Sequence, residues 1–176
     1  RFRPMPEQEK KVAQSGILAK EKKSILEADQ QWVVFEGGEK HVVLMREPQN
    51  EQEVNALIWK MEALGAFPFA RFSTLAYIGA SKGPDMLVNF MESEGGDPQL
   101  ATVVEVEKVF YNYRLHGHSP DQYPKIVCWE LAEKGRKVRV NPTPTKDYKF
   151  TATGDEFMLQ IFVIRRMPGI RVATRA

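Results

Sequence analysis

The chain has 176 residues, 43% of them apolar, enough for one domain with a real core and too short for two comfortable ones. A formal net charge of only +2, with 27% of residues charged, lacks the strong cationic excess of a dedicated nucleic-acid binder, so the distribution of charge matters more than its sum. The single cysteine, Cys128, excludes a disulfide framework, and no apolar run approaches the ~20 residues of a membrane helix, so no membrane span is expected.

Residue 1 is Arg, and no secretory signal is visible. The expectation is a fragment, or a chain whose presequence has been removed. With the lone cysteine this fits a mature organellar protein on the matrix side of the mitochondrion, with the cytoplasm as the other setting.

Residues 1–29 read as a charged N-terminal arm. The prolines of Arg1-Phe2-Arg3-Pro4-Met5-Pro6 rule out a helix throughout that stretch. From Glu7 to Asp29, Lys11, Lys20, Lys22 and Lys23 alternate with Glu7, Glu9, Glu21 and Glu27, and Gly16 interrupts the middle. One or two exposed helical segments are expected, stabilised mainly if something packs on Ile17, Leu18, Ile25 and Leu26.

Residues 30–166 read as a single α+β domain. Trp32–Glu36 and His41–Arg46 flank Gly37-Gly38-Glu39-Lys40 and predict a hairpin. Asn50 is an N-cap, with Glu53 three residues on as in a capping box. Val54, Leu57, Ile58, Met61 and Leu64 then recur at helical spacing, and Gly65 and Pro68 end the helix. The rest is mostly strand: Phe69–Ile78, Met86–Met91, Thr102–Leu115, Ile126–Leu131, Val138–Val140, Tyr148–Thr153 and Phe157–Ile164. Short turns between them predict about eight strands, mostly antiparallel, in an open sheet or partial barrel with one packed amphipathic helix. Residues 167–176 read as an extended basic C-terminal tail, Arg-bearing and acid-free, with a Pro-Gly break.

Few constellations carry chemistry. His116 and His118 have metal-ligand spacing if extended, but Gly117 and Pro120 point to a solvated loop, and a third ligand is not placed. Glu105 and Glu107 alternate on one strand face, where they could share a proton for acid–base work; a solvent-facing row is the plainer reading. Ser81 in Gly79-Ala80-Ser81-Lys82-Gly83 lacks the strand-to-helix context of a nucleophile elbow. Cys128 reads as a buried, inert thiol. No catalytic residue, cofactor or metal is expected.

The functional expectation is a non-catalytic accessory subunit of a large organellar protein or ribonucleoprotein complex, with other protein subunits as partners. It would dock through its ends, by Arg1, Phe2, Arg3, Ile17, Leu18, Ile25, Ile170 and Arg175. The alternative is a module for single-stranded RNA or DNA. There Tyr111 and Tyr113 would stack bases beside Arg114, and Arg165, Arg166 and Arg171 would meet phosphates, with Lys108 and Lys125 nearby. A third reading is a small enzyme or ligand-binding barrel whose site residues are scattered over strands.

Overall fold

A computed structural model gives the fold and describes residues 7–27, 29–78, 85–113, 125–132, 143–153 and 158–174. The readings made for Arg1, Phe2, Arg3, Ser81, Arg114, His116, His118, the strand at 138–140 and Arg175 lie outside those residues.

The arm forms one helix, α1 (Glu7–Leu26), which runs through Gly16. Ile17, Leu18, Ile25 and Leu26 all stay exposed on it, and no described α1 residue joins either apolar core. The hairpin follows as β1 (Gln31–Gly37) and β2 (Lys40–Arg46), paired antiparallel from Gly37↔Lys40 outward. Gly38 turns the chain at a φ of 59°, which a residue without Cβ adopts at no steric cost.

Helix α2 (Glu51–Leu64) is bounded as its sequence predicts. The Asn50 side chain accepts from the Glu53 N–H at 2.9 Å, and Gly65 closes the helix at a φ of 64°. Glu53 reaches back to accept from the Gln49 N–H at 2.8 Å, one residue earlier than in a simple capping box. Val54, Leu57, Ile58 and Met61 are buried.

The remaining strands are β3 (Arg71–Tyr77), β4 (Met86–Met91), β5 (Gln99–Val109), β6 (Lys125–Glu130), β7 (Thr143–Lys146), β8 (Lys149–Thr153), β9 (Met158–Val163) and β10 (Ile170–Thr174). Two sheets result, and neither closes into a barrel: a three-stranded one ordered β10-β1-β2 and a seven-stranded one ordered β3-β4-β5-β6-β9-β8-β7. Pairing is antiparallel except for β5–β6 and β6–β9, which are parallel. The α+β class with mostly antiparallel sheets is therefore the architecture of the chain.

Two local features differ from expectation. The long strand ends at Val109, and Phe110–Tyr113 turn into a short helix, α3. Phe110 is thereby buried with Ile126, Cys128 and Ile161. Thr143–Lys146, despite its proline, pairs as the edge strand β7, the position at which a missing N–H is tolerated.

The cores lie on opposite sides of the large sheet. On one side α2 and the small sheet close over it, so Val33, Phe35 and Leu44 share a core with Leu57, Ile58, Met86, Val104, Val106 and Trp129. Lys40 Nζ donates to the Leu64 carbonyl at 3.1 Å and Lys60 Nζ to the Leu44 carbonyl at 2.6 Å, tying α2 to the hairpin. The Glu62 carboxylate accepts from Thr74 N and Oγ1, tying α2 to β3. The other side gathers Phe110, Ile126, Cys128, Phe150, Leu159 and Ile161.

The C-terminal segment is extended, and it docks on its own chain. β10 pairs with β1 from Phe35↔Ile170 to Gln31↔Thr174, after a 3-10 turn at Ile164–Arg166. Gly169 makes the approach possible. Its φ is 78°, its carbonyl accepts from the Glu36 N–H at 2.7 Å, and a Cβ there would lie 2.5 Å from the Glu36 carbonyl oxygen. Gly169→Ala is therefore expected to lower stability by more than ~1 kcal/mol, seen as a lower urea midpoint at unchanged m. A midpoint equal to the parent's would show that this strand entry carries no strain.

Candidate functional site

The described carboxyls that depart most from ordinary solution chemistry are Glu105 and Glu107 of β5. The plainer sequence reading put them in water. They are instead 4% and 0% exposed. The cause is topological. β5 is an interior strand of the large sheet, and parallel pairing sets Glu105 against Ile126 and Glu107 against Cys128. Val104 and Val106, of opposite parity, fill the core beneath α2. Alternation told the two faces apart, but both faces are covered.

Two further carboxylates approach. Asp85 precedes β4 and accepts from the Val106 N–H at 2.7 Å. Glu51, in the first turn of α2, acts on Glu107 more strongly than any other acid. Burial, then Asp85, pushes the Glu105 carboxyl up to about 7. Burial, then Glu51, pushes Glu107 up to about 9. A carboxyl raised this far keeps its proton at neutral pH, and the Glu51 carboxyl, half-buried in the first turn of α2, adds to the rise at Glu107.

This group can hold protons, but its burial keeps it from solvent-borne substrate. Among the described residues no set of three His, Cys, Asp or Glu side chains is arranged to hold a metal. A cavity of about 320 Å³ lies elsewhere, at the β7–β8 hairpin, lined by Pro144, Lys146, Phe150 and Arg166 among others. Cys128 is fully buried, and burial raises its thiol far above the reactive range.

Several of the residues assigned to nucleic acid are engaged within the chain. Tyr111 lies in α3, not on a strand. The Tyr113 side chain lies outside the described residues. Arg165 Nη1 bonds Glu47 at 2.9 Å and Glu130 at 3.3 Å, with its guanidinium over the Trp129 ring. Arg171 Nε bonds Glu36 at 2.7 Å, and Arg166 sits 5.3 Å from the Phe150 ring centre. Lys125 is buried over Phe90, and burial lowers its ammonium. Of the residues assigned to partners, Ile170 is buried in this chain's own core, whereas Ile17, Leu18 and Ile25 face solvent.

Sequence reasoning passed over Glu51, whose role depends on tertiary contact. It also passed over Trp59 and Tyr77, an exposed edge-to-face pair with centroids 5.5 Å apart beside edge strand β3. Trp59 fell outside the apolar stripe of α2, which was a signal for exposure. No protein-family model, curated protein or solved structure matches the chain.

Both glutamates carry raised values in the folded state, so their stabilising effect is complete below the ordinary carboxyl range and is lost as pH rises through about 7 and then about 9. Glu107→Gln, which keeps the shape of the protonated group, is expected to flatten the upper part of that decline by at least ~1 kcal/mol, measured by urea unfolding across the alkaline range. An unchanged decline would mean that Glu107 is already ionised in the neutral fold.

Proposed function

We propose that the chain is a non-catalytic subunit that binds another protein of a larger assembly through helix α1. The supporting observation is α1 itself. Over 20 residues it carries Ile17, Leu18, Ile25 and Leu26 at 65%, 55%, 40% and 80% exposure. A lone helix of this length is marginal in water and gains most of its stability by packing. Burying each of those side chains would contribute about 1.5–3 kcal/mol. Its charges have both signs, with Lys20, Lys22 and Lys23 beside Glu21 and Glu27. The fitting partner is therefore an apolar protein groove with a mixed-charge rim.

The organellar setting, on the matrix side of the mitochondrion, belongs to the same proposal and rests on the sequence alone. The nucleic-acid reading has less support, since Arg165 and Arg171 are neutralised within the chain and Tyr111 is not on a sheet. An enzymatic reading has less support because the strongest titratable group is sealed from solvent.

The native protein, recovered from its source at moderate salt, is expected to elute in a particle well above its own 20.1 kDa. Ile17→Asp with Leu18→Asp should return it to that mass while leaving the circular dichroism of the body intact. Elution of the unaltered protein near its own mass, without partners, would reject the proposal.

A further inference from the structure

Between the β7–β8 hairpin and the 3-10 turn after β9 lies a cavity of about 320 Å³, at the small end of the range for ligand sites. Three charged side chains line it: Lys146, Asp147 and Arg166. Asp147 and Arg166 open on the same space with opposite charge. Yet among the described residues no ion pair joins Asp147 to a cation or Arg166 to a carboxylate. Opposite charges that line one cavity without meeting are the complement of a ligand that carries both signs.

Each group is held in place by its neighbours. Arg165 and Arg166 are consecutive in the 3-10 turn and serve different sides of the sheet. Arg165 lies over Trp129 of one core and bonds Glu47 and Glu130. Arg166 lies over Phe150 of the other core, 5.3 Å from the ring centre. Phe150 is itself buried, so that ring is a fixed support. Stacking covers a face of the guanidinium and leaves its in-plane N–H groups to donate. Asp147 stands in the turn between β7 and β8, beside Tyr148. Tyr148 is buried and its carbonyl accepts from the Val163 N–H at 2.8 Å, which pins the turn. The Thr145 hydroxyl donates to the Lys149 carbonyl at 3.2 Å and closes the hairpin. Lys146 is the second cation of the cavity. Its ammonium lies 3.4 Å from Glu92, its side chain is 48% exposed, and an ammonium has three donors to share.

We propose that this cavity binds a free acidic amino acid, with its α-carboxylate on Arg166, its ammonium on Asp147 and its side-chain carboxylate on Lys146.

Charge and size select that class. Two cations and one anion line the cavity, so the complementary ligand carries two carboxylates and one ammonium. The fork of Arg166 matches a planar carboxylate through two parallel N–H groups. A simple dicarboxylate would leave Asp147 facing an anion with no cation between them, and repulsion would weaken it. The small volume excludes long polyanions. No α1 residue lines the cavity, so binding here does not depend on what α1 binds.

The test is calorimetric titration of the full chain with L-glutamate and with L-aspartate, in a buffer free of carboxylate and phosphate. One saturable site is expected for at least one of them. Glutarate and succinate, which have the same skeletons without the ammonium, should bind roughly tenfold more weakly than their amino-acid counterparts. Asp147→Asn should remove that preference by weakening the amino acid alone. Arg166→Gln should abolish binding of both kinds. Both positions are exposed, and circular dichroism should show the parent's fold in each variant. Absence of saturable binding of either amino acid at millimolar concentration overturns the proposal. So does a dicarboxylate that binds the parent as tightly as its amino-acid counterpart, or amino-acid binding that either variant leaves unchanged.

Discussion

The structure depends on the desolvation of two carboxyl groups at the middle of its large sheet. Burial makes the ionised form of a carboxyl costly, and the proton that burial holds on Glu107 avoids that cost. That choice has structural consequences. It lets β5 be covered on both faces, with Val104 and Val106 under α2 and Glu105 and Glu107 beside Ile126 and Cys128. It lets the parallel run β5-β6-β9 form, since parallel strands are stable mainly when buried on both sides.

Around that strand the rest of the molecule closes by ordinary packing. α2 and the β10-β1-β2 sheet cap one side, and their shared core with Trp129 and Phe162 joins the ends of the chain to its middle. The arginines of the C-terminal segment serve this closure. Arg165 bridges Glu47 and Glu130, and Arg171 meets Glu36. These pairs are half-exposed and individually weak, but they take up the cations that a phosphate ligand would need. α1 is left outside both cores, and Ile17, Leu18, Ile25 and Leu26 stay exposed on it.

Much of this was legible in the sequence where the signal is local. The Asn50 and Gly65 caps and the stripe of α2 are properties of neighbours along the chain, as is the Gly38 hairpin. What was not legible depends on topology. Alternation in Val104–Val109 separates two faces without saying whether the second is wet. That depends on β6 lying parallel to β5, which in turn depends on the crossover between them. Phe110–Tyr113 have the composition of a strand, yet they turn into α3 and bury Phe110. Ile170–Thr174 read as an extended tail docking on other subunits because its partner within the chain, β1, lies far away in sequence. Of the candidate site, the pair Glu105 and Glu107 was visible by spacing, but Glu51 and Asp85 come from distant elements and were not.

The measurement that tests this account most directly is a carbon-13 NMR pH titration of the glutamate side-chain carboxyls, with Glu107→Gln used to assign the signal. The account predicts one carboxyl that stays protonated at pH 7 and titrates near the Glu107 value of about 9, well apart from the exposed glutamates. A Glu107 signal already ionised at pH 7 would contradict it, because burial would then not be holding the proton on the central strand.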